Sequence, residues 1–253
     1  MKLAVAASLC ALACVAGQAV PVQDDDWEFV EDPAQELILA AVRYERGPSI
    51  IAQCQRGRLV LILTGLPEGE EMLRLEATRA DGRAAAQRWT PVGGPGTYRS
   101  VTPGREARFL RGGGSYVVRS PVVAATPVNA TFDLPSQSAN LERVLTACGW
   151  ALEDDRDLLE EADVTLDPPS RRGPPPFRVP SVPEREVSCV VREMRFRDCR
   201  ADHPPSARTA NTRSLIRAVQ GEEAHVPIGA DPASAEGKVF RVIASNQLLV
   251  VVH

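Results

Sequence analysis

The amino-acid sequence predicts a mainly β protein with minor α content, divided into two domains by a proline-rich connector. Three observations lead to this prediction: short apolar runs bounded by glycine or proline turns, only two segments with the apolar spacing of a helix, and seven prolines within residues 167–183. Short strands with such turns are typical of sandwiches and barrels. We therefore expect residues 20–166 to form a β-sandwich or partly open barrel closed by one helix, and residues 184–253 to form a small α+β domain.

The strands of the first domain are predicted from short apolar runs and from one segment that alternates apolar and polar residues. Glycine-rich turns separate the later strands, as at residues 93–96 and 112–114. The expected strands cover residues 37–42, 49–52, 59–63, 72–77, 107–110, 115–118 and 128–132. A helix should follow them, because Ser138 is a suitable N-cap, apolar residues then recur at helical spacing, and Gly149 stands where helices often end.

The second domain is predicted to have the element order β-β-α-β. Residues 187–191 and 194–197 form the expected hairpin, in which Cys189 and Cys199 are placed to bridge the two strands. The expected helix and closing strands cover residues 207–219, 239–243 and 248–252. A domain of this size buries too little apolar surface to be stable without a covalent staple, so the cysteine pair is expected to stabilise it.

The N-terminus has the features of a signal peptide. Lys2 precedes an apolar run at residues 3–16, and small residues stand just before the expected cleavage site after Ala19. Cleavage there makes residues 1–19 the signal peptide. The alternatives are a lipoprotein signal ending at Cys14 and a retained anchor, although the apolar run is shorter than the roughly 20 residues that span a bilayer. No later stretch is long and apolar enough to cross a membrane, so we expect no transmembrane segment in the mature chain.

Residue usage indicates an oxidising compartment outside the cytoplasm. Only two of the 29 basic residues are lysines, a usage typical of GC-rich bacterial genomes, so we expect a periplasmic or secreted location. Removal of the signal leaves four of the six cysteines, an even number that favours structural disulfides in such a compartment. These four are Cys54, Cys148, Cys189 and Cys199.

Charge is distributed unevenly over the two halves of the chain. Residues 20–170 carry 15 arginines against 24 acidic residues, a net charge of −9, whereas residues 171–253 carry 13 basic against 9 acidic residues, a net charge of +4. The two domains can therefore contact each other, recruit different partners, or simply present solvated surfaces.

A basic face is predicted on the hairpin of the second domain, because alternate side chains of a strand point the same way. Its residues are Arg192, Arg195, Arg197 and Arg200. The face can bind an envelope protein, an anionic envelope polymer, or the acidic surface of the first domain. Nucleic acid is an unsuitable partner for an exported and net acidic protein.

Motifs for catalysis, metal binding and cofactor binding are missing from the sequence. Its three histidines have spacings unlike those of zinc or copper sites, and no G-x-S-x-G sequence occurs. We therefore expect no catalytic residues, no metal site and no cofactor. The glycine loop at residues 111–115 can cradle an anion in principle, but a hairpin turn is expected because a lysine and a following helix are missing. The acidic residues at 153–163 lack the spacing of a calcium loop, so a solvated segment is expected there.

The end of the first domain resembles some bacterial envelope modules. The FDLP sequence at residues 132–135, the helix after Ser138, and the CGW sequence at residues 148–150 look like the strand, helix and CGW finish of TagO-type proteins associated with type VI secretion. The cysteine, glycine turn and hydrophobic strand at residues 54–60 are also similar to those modules. The resemblance implies a Cys54–Cys148 disulfide that ties the closing helix to the sheet, and it does not indicate a ligand.

The second domain resembles the C-terminal domain of TonB-type energy transducers. The likeness rests on the element order and on Cys189, Val191, Phe196 and Cys199, followed by a His-Pro pair at residues 203–204 where that family commonly has an acidic residue before proline. The resemblance implies that fold and the binding of partners by strand addition to an exposed sheet edge. The hairpin lacks the family's usual turn glycine and the signal looks cleavable, so the resemblance does not imply energy transduction.

These features predict an exported, non-catalytic interaction or accessory protein of the cell envelope that binds partners through a strand edge or the basic hairpin face. The alternatives are a periplasmic solute- or polymer-binding protein and an enzyme whose site has no recognisable motif.

Overall fold

A computed structural model describes residues 25–45, 48–69, 72–121, 124, 127–166, 185–202, 204, 210–244 and 249–252. The predicted signal peptide and the proline-rich connector lie outside these residues. The protein is mainly β with minor α content, as the sequence predicts, and it has two clusters of buried apolar residues. None of the helices in the described part of the chain is long and apolar enough to span a lipid bilayer.

The first apolar core lies against a nine-stranded antiparallel sheet with the strand order β1-β2-β3-β4-β7-β6-β5-β8-β9. The strands are β1 (Glu28–Asp32), β2 (Leu37–Arg43), β3 (Ser49–Gln55), β4 (Arg58–Thr64), β5 (Leu73–Arg79), β6 (Ala84–Pro91), β7 (Tyr98–Ser100), β8 (Gly114–Arg119) and β9 (Asn129–Leu134). The sequence predicts β2, β3, β4, β5, β8 and β9, and it misses the other three strands.

This sheet is curled but does not close into a barrel. Tyr44 follows β2, near one edge of the sheet, and its hydroxyl donates to the carbonyl of Asp133 on β9, the strand at the other edge, at 3.0 Å. Its ring also lies 5.5 Å from that of Phe132. Because these contacts join strands from opposite ends of the strand order, the sheet must wrap around the first core, as a partly open barrel does.

The prediction of a strand at residues 107–110 is wrong, since this stretch lies at a helix, α1 (Pro103–Phe109). Pro103 occupies the first turn, where its fixed backbone angle favours a helix and its missing N–H costs nothing. The glycine inside this helix, Gly104, permits close packing: a Cβ there would lie 2.1 Å from the ring of Trp150. Two helices therefore cover the sheet where the sequence predicts one.

The second helix, α2 (Ala139–Ala147), is the predicted closing helix, and it buries Leu141, Val144 and Leu145 against the sheet. It ends at Cys148, and Gly149 has the positive φ of 74° that a helix C-terminus favours. The disulfide between Cys54 and Cys148 is present and joins this end of α2 to β3.

The second core lies against a four-stranded antiparallel sheet with the order β12-β11-β14-β15, together with the helix α3. The elements are β10 (Thr165–Leu166), β11 (Arg185–Arg192), β12 (Arg195–Ala201), α3 (Ala210–Val219), β13 (Ala224–His225), β14 (Val239–Ala244) and β15 (Leu249–Val252). The predicted Cys189–Cys199 disulfide is present. The hairpin turns without glycine, because Glu193 and Met194 both adopt a φ of 53°.

The chain enters the second core before the proline-rich connector. Ala162, Val164 and Leu166 are buried in the second core, and β10 pairs with β13. Glu161 also forms a parallel bridge with Val239. The stretch that the sequence prediction assigns to the end of the first domain therefore packs with the residues that follow the connector.

Candidate functional site

A cleft of about 770 Å³ lies between α1, the beginning of β6 and residues 152–160, which we call the acidic segment. This volume is within the range of roughly 300–1,000 Å³ that is typical of ligand sites. Its apolar lining consists of Ala84, Ala85, Phe109, Leu152, Leu158 and Leu159. Its arginines are Arg83, Arg105, Arg108 and Arg111, and its acidic residues are Glu153, Asp154, Asp155, Asp157 and Glu160.

The apolar part of the cleft reaches the surface of the protein. The side chain of Leu158 is 81% exposed at the rim, which is unusual for a leucine beside a cavity. The guanidinium of Arg83 lies over the ring of Phe109, 5.6 Å from its centroid, and so presents a cation–π pair at the same rim. The cleft therefore combines an apolar surface with charged edges.

The prediction that the acidic residues at 153–163 are solvated is correct only in part: Glu153, Asp155 and Glu160 are exposed, whereas Asp154, Asp157 and Glu161 pair with arginines. The segment contains a 3-10 turn at Asp155–Leu158. The carboxylate of Asp154 caps the start of this turn by accepting a hydrogen bond from the backbone N–H of Arg156 at 3.0 Å. The segment's other carboxylate contacts go to arginines on both sides of it and, from Glu160, to Lys238 just before β14, so the segment lies between the two cores. These partners are 40 or more residues away in sequence, which is why spacing alone did not reveal them.

Arginines in and just after α1 hold the acidic segment on the side of the first core. Arg108 makes a two-point contact with Asp157, at 2.5 and 3.1 Å, and its side chain is almost fully buried. Arg105 pairs at 2.5 Å with Glu161, the residue that follows the segment, and Arg111 donates to the carbonyl of Leu152. A spacing of three residues places these arginines along one side of the helix.

Arginines of the second sheet hold the same segment from the other side. Arg200 on β12 pairs with Asp154 and Asp155, and Arg241 on β14 lies 3.6 Å from Asp157. Arg241 also binds the buried carboxylate of Asp202 at 2.9 Å.

Arg156 makes the reverse connection, from the acidic segment into the second sheet. Its guanidinium donates to the hydroxyl of Ser188 at 2.7 Å and to the carbonyls of Ser188 and Asp198. Burial lowers the pKa of this arginine from its usual value.

The structure divides the four arginines of the predicted basic face among different contacts. Arg200 faces the acidic segment, in agreement with the alternative in which the face contacts the first domain. Arg192 pairs with Asp198 at the surface at 3.6 Å, and Arg195 donates to the carbonyl of Gly221 at 2.9 Å. Arg197 is partly buried on the same strand. Two of the four, Arg192 and Arg200, are therefore paired with carboxylates of this chain.

The glycine loop at residues 111–115 is not the expected hairpin turn, since it joins α1 to β8. Its carbonyls point at a cation: the guanidinium of Arg79 donates to Phe109 at 3.0 Å, to Gly113 at 2.9 Å and to Gly112. An anion site needs N–H groups in these positions, so the loop has the opposite polarity. The loop therefore binds the buried guanidinium of Arg79 on β5.

Glu106 is a fully buried acidic residue with a raised pKa. It lies on α1, is 1% exposed, and accepts the hydroxyl of Thr102 at 3.1 Å. Burial raises its pKa from 4.5 to about 7, against hydrogen bonds from Ser100 and Thr102 and the charge of Arg105. Because it does not line the cleft, its perturbed pKa is not a sign of catalysis there.

We expect the stability of the protein to fall as pH rises from about 4.5 to 7 because of Glu106. Its folded pKa of about 7 is above the unfolded value of 4.5, so the folded state holds the proton more tightly, and this stabilisation is complete below pH 4.5 and lost as pH passes 7. The total contribution is about 3 kcal/mol. Urea unfolding across this pH range measures it. Glu106→Gln should flatten the dependence of the unfolding free energy on pH, whereas Glu76→Gln, at an exposed site on β5, should leave that dependence unchanged. Equal slopes of the unfolding free energy against pH in both variants contradict the assignment to Glu106.

The described residues contain no recognisable metal site. No group of three or more histidine, cysteine, aspartate or glutamate side chains there is placed to hold a metal ion. His225 lies on β13, and His203 and His253 lie outside the described residues. The cleft is therefore the principal candidate site in the part of the chain that the structure describes.

Comparisons with known proteins do not assign the chain to a family: no protein-family model matches it, and no curated protein or solved structure is significantly similar to it. The resemblances to TagO-type and TonB-type modules stay hypotheses that rest on the residues named above.

Proposed function

We propose that this protein is an exported, non-catalytic interaction protein of the cell envelope, and that it binds a protein partner in the cleft beside α1. The observation that carries the proposal is the apolar lining of the cleft, which continues to an exposed leucine at the rim. Exposed apolar surface rimmed by charged residues is typical of protein interaction sites. The two disulfides agree with an oxidising location, and cleavage of the signal after Ala19 belongs to the proposal.

The charges of the cleft favour a protein partner over an anionic polymer. A polymer of negative charge needs arginines that are free to pair with it, as the predicted basic face supposed. Arg105, Arg108 and Arg111 are each already paired with a carboxylate of this chain, and so is Arg200. An anionic ligand would have to displace these internal carboxylates, whereas an apolar and neutral surface need not.

Site-specific photo-crosslinking in the extracytoplasmic space of the native host tests the proposal. The variant Leu158→p-benzoylphenylalanine places the photoreactive group at the rim of the cleft. Ile228→p-benzoylphenylalanine is the matched control, since Ile228 is also fully exposed but does not line the cleft. A discrete protein adduct of one mass at Leu158 alone supports the proposal. No adduct at Leu158, or the same adducts at both positions, refutes it.

A solute-binding function is the second candidate, because the volume of the cleft and its apolar residues also suit a small molecule. Native mass spectrometry of protein purified from the host separates the two candidates. A retained small ligand, lost in the variant Leu152→Asp, favours the solute, and a protein adduct at Leu158 favours the partner.

A further inference from the structure

The strand β6 has an open edge beside the cleft, which its residues Ala84 and Ala85 line. It pairs with β5 from Ala84 to Trp89, but on its other side it pairs with β7 only at Trp89, Thr90 and Pro91. One more bond follows, from the amide of Val101 to the carbonyl of Arg88 at 2.9 Å. The chain then turns away into α1 at Pro103, so nothing in the described chain continues the ladder along the first residues of β6.

The register shows which backbone groups face this open edge. The amide of Arg79 donates to the carbonyl of Arg83 at 2.8 Å, which makes these two a hydrogen-bonded pair at the end of the β5–β6 hairpin. Because hydrogen-bonded pairs alternate along an antiparallel ladder, the backbone of Ala85 faces β5, and the backbones of Ala84 and Ala86 face the opposite side. The bond that Arg88 accepts from Val101 on that side agrees with this alternation.

The open edge of β6 is accessible to solvent at Ala84 and Ala86. Ala84 and Ala86 are both exposed, and both have the smallest side chain that still favours a defined backbone. Side chains of α1 occupy part of this side of β6: the guanidinium of Arg105 lies 3.4 Å from the carbonyl of Ala86, and the carboxylate of Glu106 accepts the backbone N–H of Arg88. At this length the contact of Arg105 is weak. The side chain of Arg105 is only 10% exposed and pairs with Glu161 at 2.5 Å, so it stays over the Ala86 carbonyl, and the open groups of the edge in the described chain are the amides of Ala84 and Ala86. Three alanines in a row leave room for another backbone at strand spacing.

The charges on the far wall of the cleft indicate which charge a ligand there would carry. Glu153 and Glu160 are exposed there. Glu160 pairs with Lys238 at 2.8 Å, whereas Glu153 has no ion pair among the described residues. The exposed side chain of Leu158 lies between the two glutamates in sequence. A ligand that runs along β6 therefore meets acidic groups and an apolar side chain on the side opposite the edge.

We propose that the cleft binds an extended peptide segment of a partner, which adds as an antiparallel or parallel strand to β6 at Ala84–Ala86 and carries apolar and basic side chains. This inference rests on the proposed function, and it names the binding mode and the chemical class of the ligand. Strand addition derives its affinity from main-chain hydrogen bonds and its selectivity from alternate side chains. The edge supplies the main-chain hydrogen bonds, and Leu158 and Glu153 supply the selectivity.

The test uses the full exported protein with both disulfides and a fluorescent, capped heptapeptide, Lys-Val-Thr-Val-Thr-Val-Lys, followed by anisotropy. Ala86→Pro removes the outward N–H of Ala86 and leaves the ladder to β5 intact, because that N–H does not face β5. We expect it to weaken binding about five- to tenfold, the effect of losing about one main-chain bond. Ala86→Val is the matched control, which enlarges the side chain but keeps the N–H, and it should bind within about twofold of the native protein.

Two further readouts are specific to this binding mode. Hydrogen exchange of the Ala84 and Ala86 amides should slow when the peptide binds, whereas the Ala85 amide, which already faces β5, should not change. A peptide with glutamates in place of its lysines should bind more weakly than the lysine peptide. Absence of saturable binding of the lysine peptide, or equal affinity of Ala86→Pro and Ala86→Val, overturns the inference. If Leu158 still forms its adduct in that case, the proposed function stands without strand addition; if the adduct is also missing, both fail.

Discussion

Replacement of Cys54 and Cys148 by alanine is expected to lower the free energy of unfolding by about 4.5 kcal/mol. The two cysteines are 94 residues apart, and the loop that they close contains every strand from β4 to β9 and both helices that cover the sheet. Without the bond the unfolded chain gains the entropy of that open loop. Guanidinium chloride unfolding measures the loss, and the fluorescence of Trp27 and Trp89, both buried in the first core, reports it.

The second disulfide provides the matched control for this result. Cys189 and Cys199 are only 10 residues apart, so the same entropy argument predicts a loss of about 3 kcal/mol for their replacement by alanine. An equal or larger loss from this pair than from Cys54 and Cys148 contradicts the loop-length argument. If the variant that lacks the Cys54–Cys148 disulfide does not fold, the unfolding rate of the variant without Cys189 and Cys199, measured with and without dithiothreitol, isolates the effect of the longer disulfide.

Much of the first sheet could be predicted from local pattern, but α1 could not. Strands such as β5 alternate apolar and polar residues, and that alternation is visible in any window of the sequence. Residues 107–110 are too short a run to distinguish a strand from a helix by period alone. Two signals favour the helix: Pro103 stands at its start, and arginines recur every third residue at Arg105, Arg108 and Arg111.

The candidate site depends on contacts that no local pattern contains. Arg108 reaches Asp157 and Arg200 reaches Asp154, and these pairs are separated by 49 and 46 residues. A run of acidic residues is predicted to be solvated when its ion-pair partners are unknown. The net charge of each domain does not identify those partners. The open edge of β6 is likewise a property of the sheet, since it arises from the early end of β7 and not from any motif in β6 itself.

Arg241 is the buried centre of the contacts that hold the acidic segment against the second sheet. Its side chain is almost fully inaccessible, like that of Asp202, to which it donates at 2.9 Å. The second oxygen of Asp202 accepts the hydroxyl of Ser188 at 2.6 Å, and Arg241 also donates to the carbonyl of Arg156 at 3.1 Å. A buried charge pair of this kind is costly to form and far more costly to break on one side.

We therefore expect Arg241→Met to destabilise the protein by about 3–5 kcal/mol, because it leaves the carboxylate of Asp202 buried without its cation. The double variant Arg241→Met with Asp202→Asn removes both charges and should lose less than the sum of the two single variants, by about 1–3 kcal/mol. A double-mutant cycle by chemical unfolding at one pH measures this coupling. Strict additivity of the two changes contradicts a direct charge pair.

The exposed ion pairs of the same segment should behave differently, and this contrast separates burial from charge as the cause. The side chains of Arg200 and Asp155 are 41% and 80% exposed, so Arg200→Ala is expected to cost at most about 1 kcal/mol, and less as salt is raised. The effect of Arg241→Met should be nearly independent of salt, because solvent ions do not reach it. Since the acidic segment forms one wall of the cleft, Arg241→Met should also weaken the Leu158 crosslink, whereas Arg200→Ala should leave it largely intact. If added salt reduces the effects of both substitutions equally, the acidic segment is held by surface charge alone.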